Sequence, residues 1–411
     1  MKIRSIAHHG ATATLAVALL VLGACGLAAC GDDTPGPDAT VTVTATPSGS
    51  TGASTDPSAK PSATPTAAKM QSVIAVASGT KANALAVVAP STKKTVTLVP
   101  ATAGRITAIA WSPDGTRIAW SQLKSTSSGD AAIWVYDLAK KKVSPVKVAG
   151  GTPKSVAGFT WLAPTKVLCA VIVGATSYHT NGQMYVCDVS KETSAQLKDD
   201  KGAVVRGIWP TVSANFRVVA YVRYGPPAGG NQPESLMVYD GNTASLTKVA
   251  QDKLPTDYDN DAFAYPSISP EGSFISSCRI GSDPGFGLTI TGIDGAPVLD
   301  KGGLVWPTPG AWDSLSGRLA YGGAKDSKAE NGTLWTWDPD TTATKAVYKA
   351  TKHVIGAAAW SPTGDYLAFG SSPSAGGSTD LWVVGAGGGG AHLVLKNAAA
   401  PAWAKAAVPG L

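Results

Sequence analysis

Charge is scarce in this sequence. Only 15% of its 411 residues are Asp, Glu, Lys or Arg, against about a quarter in ordinary soluble domains. The formal net charge is +6, and no run of Lys and Arg is long enough to follow a phosphate backbone, so nucleic acid is not an expected partner. Histidine is rare too. Beyond the N-terminal segment only His179, His353 and His392 remain, without the spacing of a metal site. No G-x-S-x-G elbow offers a serine nucleophile, and no acid–base pair or triad can be assembled. What the chain has instead is 46 Gly, 28 Pro and 12 Trp. That composition favours a turn-rich β protein over helical architectures, which lean on Ala, Leu, Glu and Lys.

The first residues have the layout of an export signal. Lys2 and Arg4 precede the apolar run "ATATLAVALLVLGA", and Asp32 and Asp33 follow it, an order that puts the rest of the chain outside the cytoplasm. Small residues lead into a cysteine at Leu27-Ala28-Ala29-Cys30. This resembles the bacterial lipobox, and the resemblance implies cleavage after residue 29 and a diacylglycerol on the Cys30 sulfur. "LGAC", ending at Cys25, is the second candidate, and an uncleaved membrane anchor is the alternative reading of the run. Residues 30–69 are rich in Ser, Thr and Pro with almost no large apolar side chain, so they cannot offset the entropy of ordering. They read as a disordered tether of about 39 residues with a reach of roughly 35 Å.

From Met70 to Leu411 the sequence repeats. "AWSPDGTRIAW" (110–120) returns as "AWSPTGDYLAF" (359–369) and, more worn, as "SISPEGSFISS" (267–277). Each unit has an apolar strand ending in an anchor, a tight turn, a second strand, a polar loop and a third strand such as "AAIWVYDL" or "GTLWTWDP". The anchors are Trp111, Trp161, Val212, Ile268, either Pro309 or Trp312, and Trp360, spaced roughly 45 to 55 residues apart, the length of a four-stranded blade. Before the first unit stand strands with no inner partner ("QSVIAVAS", "NALAVVAP", "KTVTLVPA"), and after the last comes "APAWAKA" with Trp403 at the anchor. The two orphans complete one blade. The prediction is an all-β, seven-bladed propeller closed by strand sharing between its N- and C-terminal segments.

The stretches "WSPDGTRIAWSQ…AAIWVYDL" and "WSPTGDYLAFGSSPSAGGSTDLWVVGAGGGGAHLVLKNAAAPAW" resemble the WD-like repeats of TolB-type propellers, over about residues 70 to 405. That resemblance implies the fold. It is also found in envelope binding proteins and in the propeller domains of some peptidases, so it leaves function open.

Long, varied loops link second to third strands, for example "VGATSYHTNG" and "YGPPAGGNQPES". They gather on one rim, the expected place for a partner. On the same side three inner strands carry an aromatic before proline, Trp209-Pro210, Tyr265-Pro266 and Trp306-Pro307, where other blades have Ala108, Gly158, Ala357 and Ala400. These rings form either a ligand platform at the channel mouth or packing that plugs it. His353, leading into an inner strand, joins them as a candidate. In "DYDND" the alternating Asp257, Asp259 and Asp261 have the chemistry for calcium, but neither the glycine nor the bidentate glutamate of a loop site follows. No other cofactor is expected. Cys169 and Cys187 fall at similar heights on neighbouring strands, either bridged or as two buried thiols. Cys278 has no evident partner.

Two functions fit. The first is an extracytoplasmic lipoprotein, monomeric and membrane-anchored through Cys30, whose propeller binds an envelope protein, peptide or glycan without catalysis. The second is a propeller enzyme or small-ligand protein using the central channel, lactonase-like or hydrolytic and metal-dependent.

Overall fold

The computed structural model describes residues 72–123, 131–149, 151, 153, 155–173, 180–226, 233–251, 261–280, 287–304, 307–324, 331–373 and 378–404. Every regular element among them is a β-strand, and no helix among them is long and apolar enough to cross a membrane. The strands pair antiparallel in four-stranded meanders, and seven such units can be counted. Their inner strands are Arg105–Trp111, Val156–Ala163, Arg206–Val212, Asp261–Ile268, Ala311–Trp312, Val354–Trp360 and Ala398–Trp403. The first six open units 1 to 6. The seventh belongs to the unit whose other strands are Ile74–Ser78, Ala84–Val88 and Thr95–Val99.

The repeated motif is explained by its hydrogen bonds. After four of the anchors a serine side chain folds back over the turn and accepts the N–H five residues on: Ser112 from Arg117 at 2.9 Å, Ser213 from Val218 at 3.1 Å, Ser269 from Phe274 at 3.0 Å and Ser361 from Tyr366 at 3.1 Å. The glycine of "SPDG" and its relatives sits at positive φ, +70° at Gly115 and +68° at Gly364, where any side chain is strained. In unit 5 the anchor is Trp312, and Asp313 replaces the serine. Its buried carboxylate accepts from Leu315 N–H at 3.1 Å and pairs with Arg318 at 3.2 Å. At the far end of the third strands the aspartate of "WVYD" and its equivalents caps the hairpin, taking N–H groups from Lys140, Ser190, Asn242 and Asp340.

Neighbouring units are joined through the anchors. The indole N–H of Trp111 donates to Ala402 O (2.9 Å), Trp161 to Ala110 O (3.1 Å), Trp312 to Ser267 O (3.0 Å) and Trp360 to Ala311 O (2.8 Å). In each case the acceptor lies one residue before the anchor of the preceding unit. Val212 and Ile268 have no such donor, so the seams between units 2 and 3 and between units 3 and 4 lack this link. At the first of them Gly182 and Gln183 of unit 2 pair with Gly207 and Arg206 of unit 3, which runs the two meanders into one path. Apolar clusters span every seam, including Tyr366, Leu381 and Val383 of unit 6 with Ile74, Val76 and Trp403, and Leu85 and Val87 with Ile118 and Trp120 of unit 1. The first and last described strands lie side by side, with Ile74 opposite Trp403 and Ser78 opposite Ala398. The Trp403 indole is hydrogen-bonded to the Ser72 hydroxyl.

Candidate functional site

Inner strands break register at one level. In unit 3 Ile208 faces Val222 and Thr211 faces Ala220, so Trp209 and Pro210 together oppose Tyr221. In unit 4 Tyr265 and Pro266 oppose Ser277 between the Ala264–Cys278 and Ser267–Ser276 pairs. The same irregularity recurs at Ala400-Pro401 and at Gly158. These are β-bulges, in which one extra residue turns the strand and re-aims a side chain. Proline costs the ladder no donor there, because the bulged residue's partner is already lost.

Four of these bulges put a residue at positive φ: Gly158 at +122°, Trp209 at +52°, Tyr265 at +53° and Ala400 at +50°. A bulky residue in this region is an outlier costing about 1–3 kcal/mol, and a following proline normally pushes its predecessor toward extended conformations. Two adjacent inner strands therefore hold strained aromatics. Their rings meet at a centroid distance of 4.4 Å, tilted by 45°. Both side chains are half-buried. Trp209 packs against the cluster that holds Ile208 and against the one that holds Ala264 and Cys278, with the rest of its surface exposed. Gly158 abuts this pair so closely that a Cβ there would lie 2.9 Å from Trp209 Cα. On the inner strands of units 1, 6 and 7, Ala108 is exposed and Ala357, Ala359 and Ala402 are half-buried.

Glu234 has no counterpart in the sequence reading. It opens the third strand of unit 3, where units 1 and 2 have Ala131 and Gly182, and it is wholly buried. Its Oε2 accepts the Phe263 N–H at 3.0 Å, which clamps unit 3 to the inner strand of unit 4 two residues before Tyr265. The only signal for it was an acidic residue where its equivalents are small.

The other candidates separate. His353 opens the inner strand of unit 6, with Nδ1 3.0 Å from Thr351 O and its own carbonyl accepting Gly332 N–H at 2.8 Å. Trp306, Asp257, Asp259, Cys25 and Cys30 lie outside the described residues, and of Asp261 only the backbone is described, at the start of the unit 4 inner strand. Among the described residues no group of three His, Cys, Asp or Glu gathers as metal ligands would. Cys169 and Cys187 are free thiols, both buried, with sulfurs 3.6 Å apart. The hydrogen bond between them and their burial push the Cys169 thiol well above its ordinary pKa. Cys278 is free and buried in unit 4.

No family model and no curated protein matches the chain. Solved structures do. An oligogalacturonate lyase from Vibrio parahaemolyticus is similar at 12% identity and a TM-score of 0.52, over 79% of this chain and 85% of that one. The β-propeller domain of the Trilobed protease from Pyrococcus furiosus is similar at 12% identity and a TM-score of 0.50, over 76% and 86%. The chain is a β-propeller. TolB from Acinetobacter baumannii is similar at 14% identity, with a TM-score of 0.46, over 82% and 67%. Likeness at such identities concerns the fold of the propeller and not its ligand. The Pyrococcus propeller has an open velcro topology, whereas in this propeller the first and last described strands pair.

Proposed function

We propose that this propeller is a non-catalytic binding module of the cell envelope, held to the membrane through a lipidated Cys30 and engaging a protein, peptide or glycan at its long-loop face. The observation that carries the reading is the strained Trp209–Tyr265 pair. Two neighbouring blades set aromatics at a strained bulge position that unit 7 fills with Ala400, and strained positions gather where ligands are held. A half-exposed double ring offers stacking and apolar contact to a neutral group: a sugar face, a proline or an aromatic side chain. The immobilised propeller, incubated with envelope extract, is expected to retain a species that Trp209→Gly and Tyr265→Ala both lose. Retention of the same species by both variants would remove the pair from the site.

The alternative reading is an enzyme acting at the same channel, and it draws on one likeness: a further similar structure, at 13% identity and a TM-score of 0.51, is an oligogalacturonate lyase in complex with manganese. Thermal melting with added calcium or manganese separates the two. A rise of several degrees at submillimolar metal supports the enzyme reading, because a ligand bound only by the folded state raises its stability, and an unchanged melt supports the binding module.

A further inference from the structure

Blade 2 holds a pair of thiols that ligand binding does not use. Cys169 stands on the second strand opposite Tyr185, and Cys187 on the third strand opposite Val167. They are diagonal neighbours on one face of the sheet. Their sulfurs are 3.6 Å apart. A disulfide has its sulfurs at about 2.05 Å, so closure asks for an approach of roughly 1.5 Å, and because diagonal neighbours stand about 7–8 Å apart at Cα the two strands must draw together as it forms. Cys187 also lines a cavity of about 110 Å³ between blades 1 and 2, together with Arg117, Lys142 and Lys147. The same lining holds Asp137, Asp188 and Glu192, with Arg117 paired to Asp137 and Lys147 to Glu192, so the cavity brings open space next to Cys187 without a net cationic field. Cys278 is the internal contrast: buried alone, its Sγ 3.2 Å from Thr308 O.

We infer that Cys169 and Cys187 are a dithiol that an oxidised exchange partner closes into a disulfide, tying the second strand of blade 2 to the third. The Cys187 thiolate attacks one sulfur of the partner's disulfide and expels a thiolate. The Cys169 sulfur then attacks Cys187 Sγ and expels the second. Two protons leave the protein and the partner takes both electrons, becoming a dithiol or two thiols. The bond would face the seam to blade 1, where both cysteines pack with Ala119, Ile133 and Val135.

The test uses the full chain, reduced, then equilibrated in a glutathione redox buffer, denatured in alkylating agent and cut with trypsin. Cleavage after Lys166 and Lys191 places both cysteines in one peptide, 167–191. The expected peptide is two hydrogens lighter and unalkylated, Cys278 is alkylated, and the oxidised protein melts a few degrees higher until reductant is added. Two alkyl groups on the peptide, or a stable glutathione adduct at Cys187, would overturn the inference. Cys169→Ser controls for general effects of oxidation: it should lose the melting shift, and keeping it would assign the shift elsewhere.

Discussion

Replacing Trp209 by glycine separates strain from packing in one measurement. Truncating a fully buried tryptophan costs about 3–5 kcal/mol. Trp209 is half-buried, so its share is about 2 kcal/mol, and losing the tilted ring contact with Tyr265 adds about 1 kcal/mol. Glycine at φ +52° then recovers about 1–2 kcal/mol of backbone strain. The net loss should be about 1–2 kcal/mol. Alanine removes the same ring but stays strained, so Trp209→Ala should be less stable than Trp209→Gly by about 1 kcal/mol. This inverts the usual order, in which glycine within a strand is the worse residue by about 0.5–1 kcal/mol. Urea unfolding of both variants, beside Trp120→Ala as a core control (2% exposed), gives the comparison directly. If the alanine variant is the more stable, or if Trp209→Gly falls as far as Trp120→Ala, then Trp209 is core and the case for a strained ligand platform is wrong.

Three further outcomes are expected. Cys30→Ser should abolish acyl labelling and membrane retention; intact labelling, lost instead in Cys25→Ser, would move the anchor five residues upstream. Deleting residues 398–411 removes the strand paired with Ile74–Ser78 and should cause aggregation or a much lower melting temperature, whereas deleting residues 32–68 should leave the melt nearly unchanged; equal melts for both deletions would deny the pairing any part in stability. Burial pushes the Tyr321 phenol up to about 12, so above pH 10 the unfolded chain loses its proton while the folded one keeps it. Stability should hold below pH 10 and decline toward pH 12 by about 1.4 kcal/mol per unit from this group. Tyr321→Phe should flatten that decline, and an unchanged slope in urea midpoints would count against it.

The architecture was legible because its signals are local. Tryptophan, serine, proline and glycine at fixed offsets state a strand end and a turn, and the orphan strands at 73–99 and Trp403 point to each other. Unit 5 was ambiguous between Pro309 and Trp312 because Asp313 does the serine's work with a different side chain. The candidate site was legible only in part. An aromatic before proline predicts extended backbone, so nothing local announced positive φ at Trp209 and Tyr265; the bulge arises from pairing with strands 10 or more residues away. Glu234, in a loop-like context, reads as a solvated residue, and its burial follows from the adjacent blade. The nearness of Cys169 and Cys187 was visible as similar height, but their diagonal placement needed the register.

The strand Ile74–Ser78 is a second strand, and second strands begin on the tight-turn side of the propeller, as Ile74 opposite Trp403 makes plain. A chain arriving at Ser72 therefore enters from that side, and the final strand ends there too. Anchored through residues 30–69, the disc would hang from its tight-turn face with the long loops turned outward. Loop length, aromatic strain and point of attachment would then share one polarity, with the short turns toward the bilayer and the long, varied loops toward the surroundings.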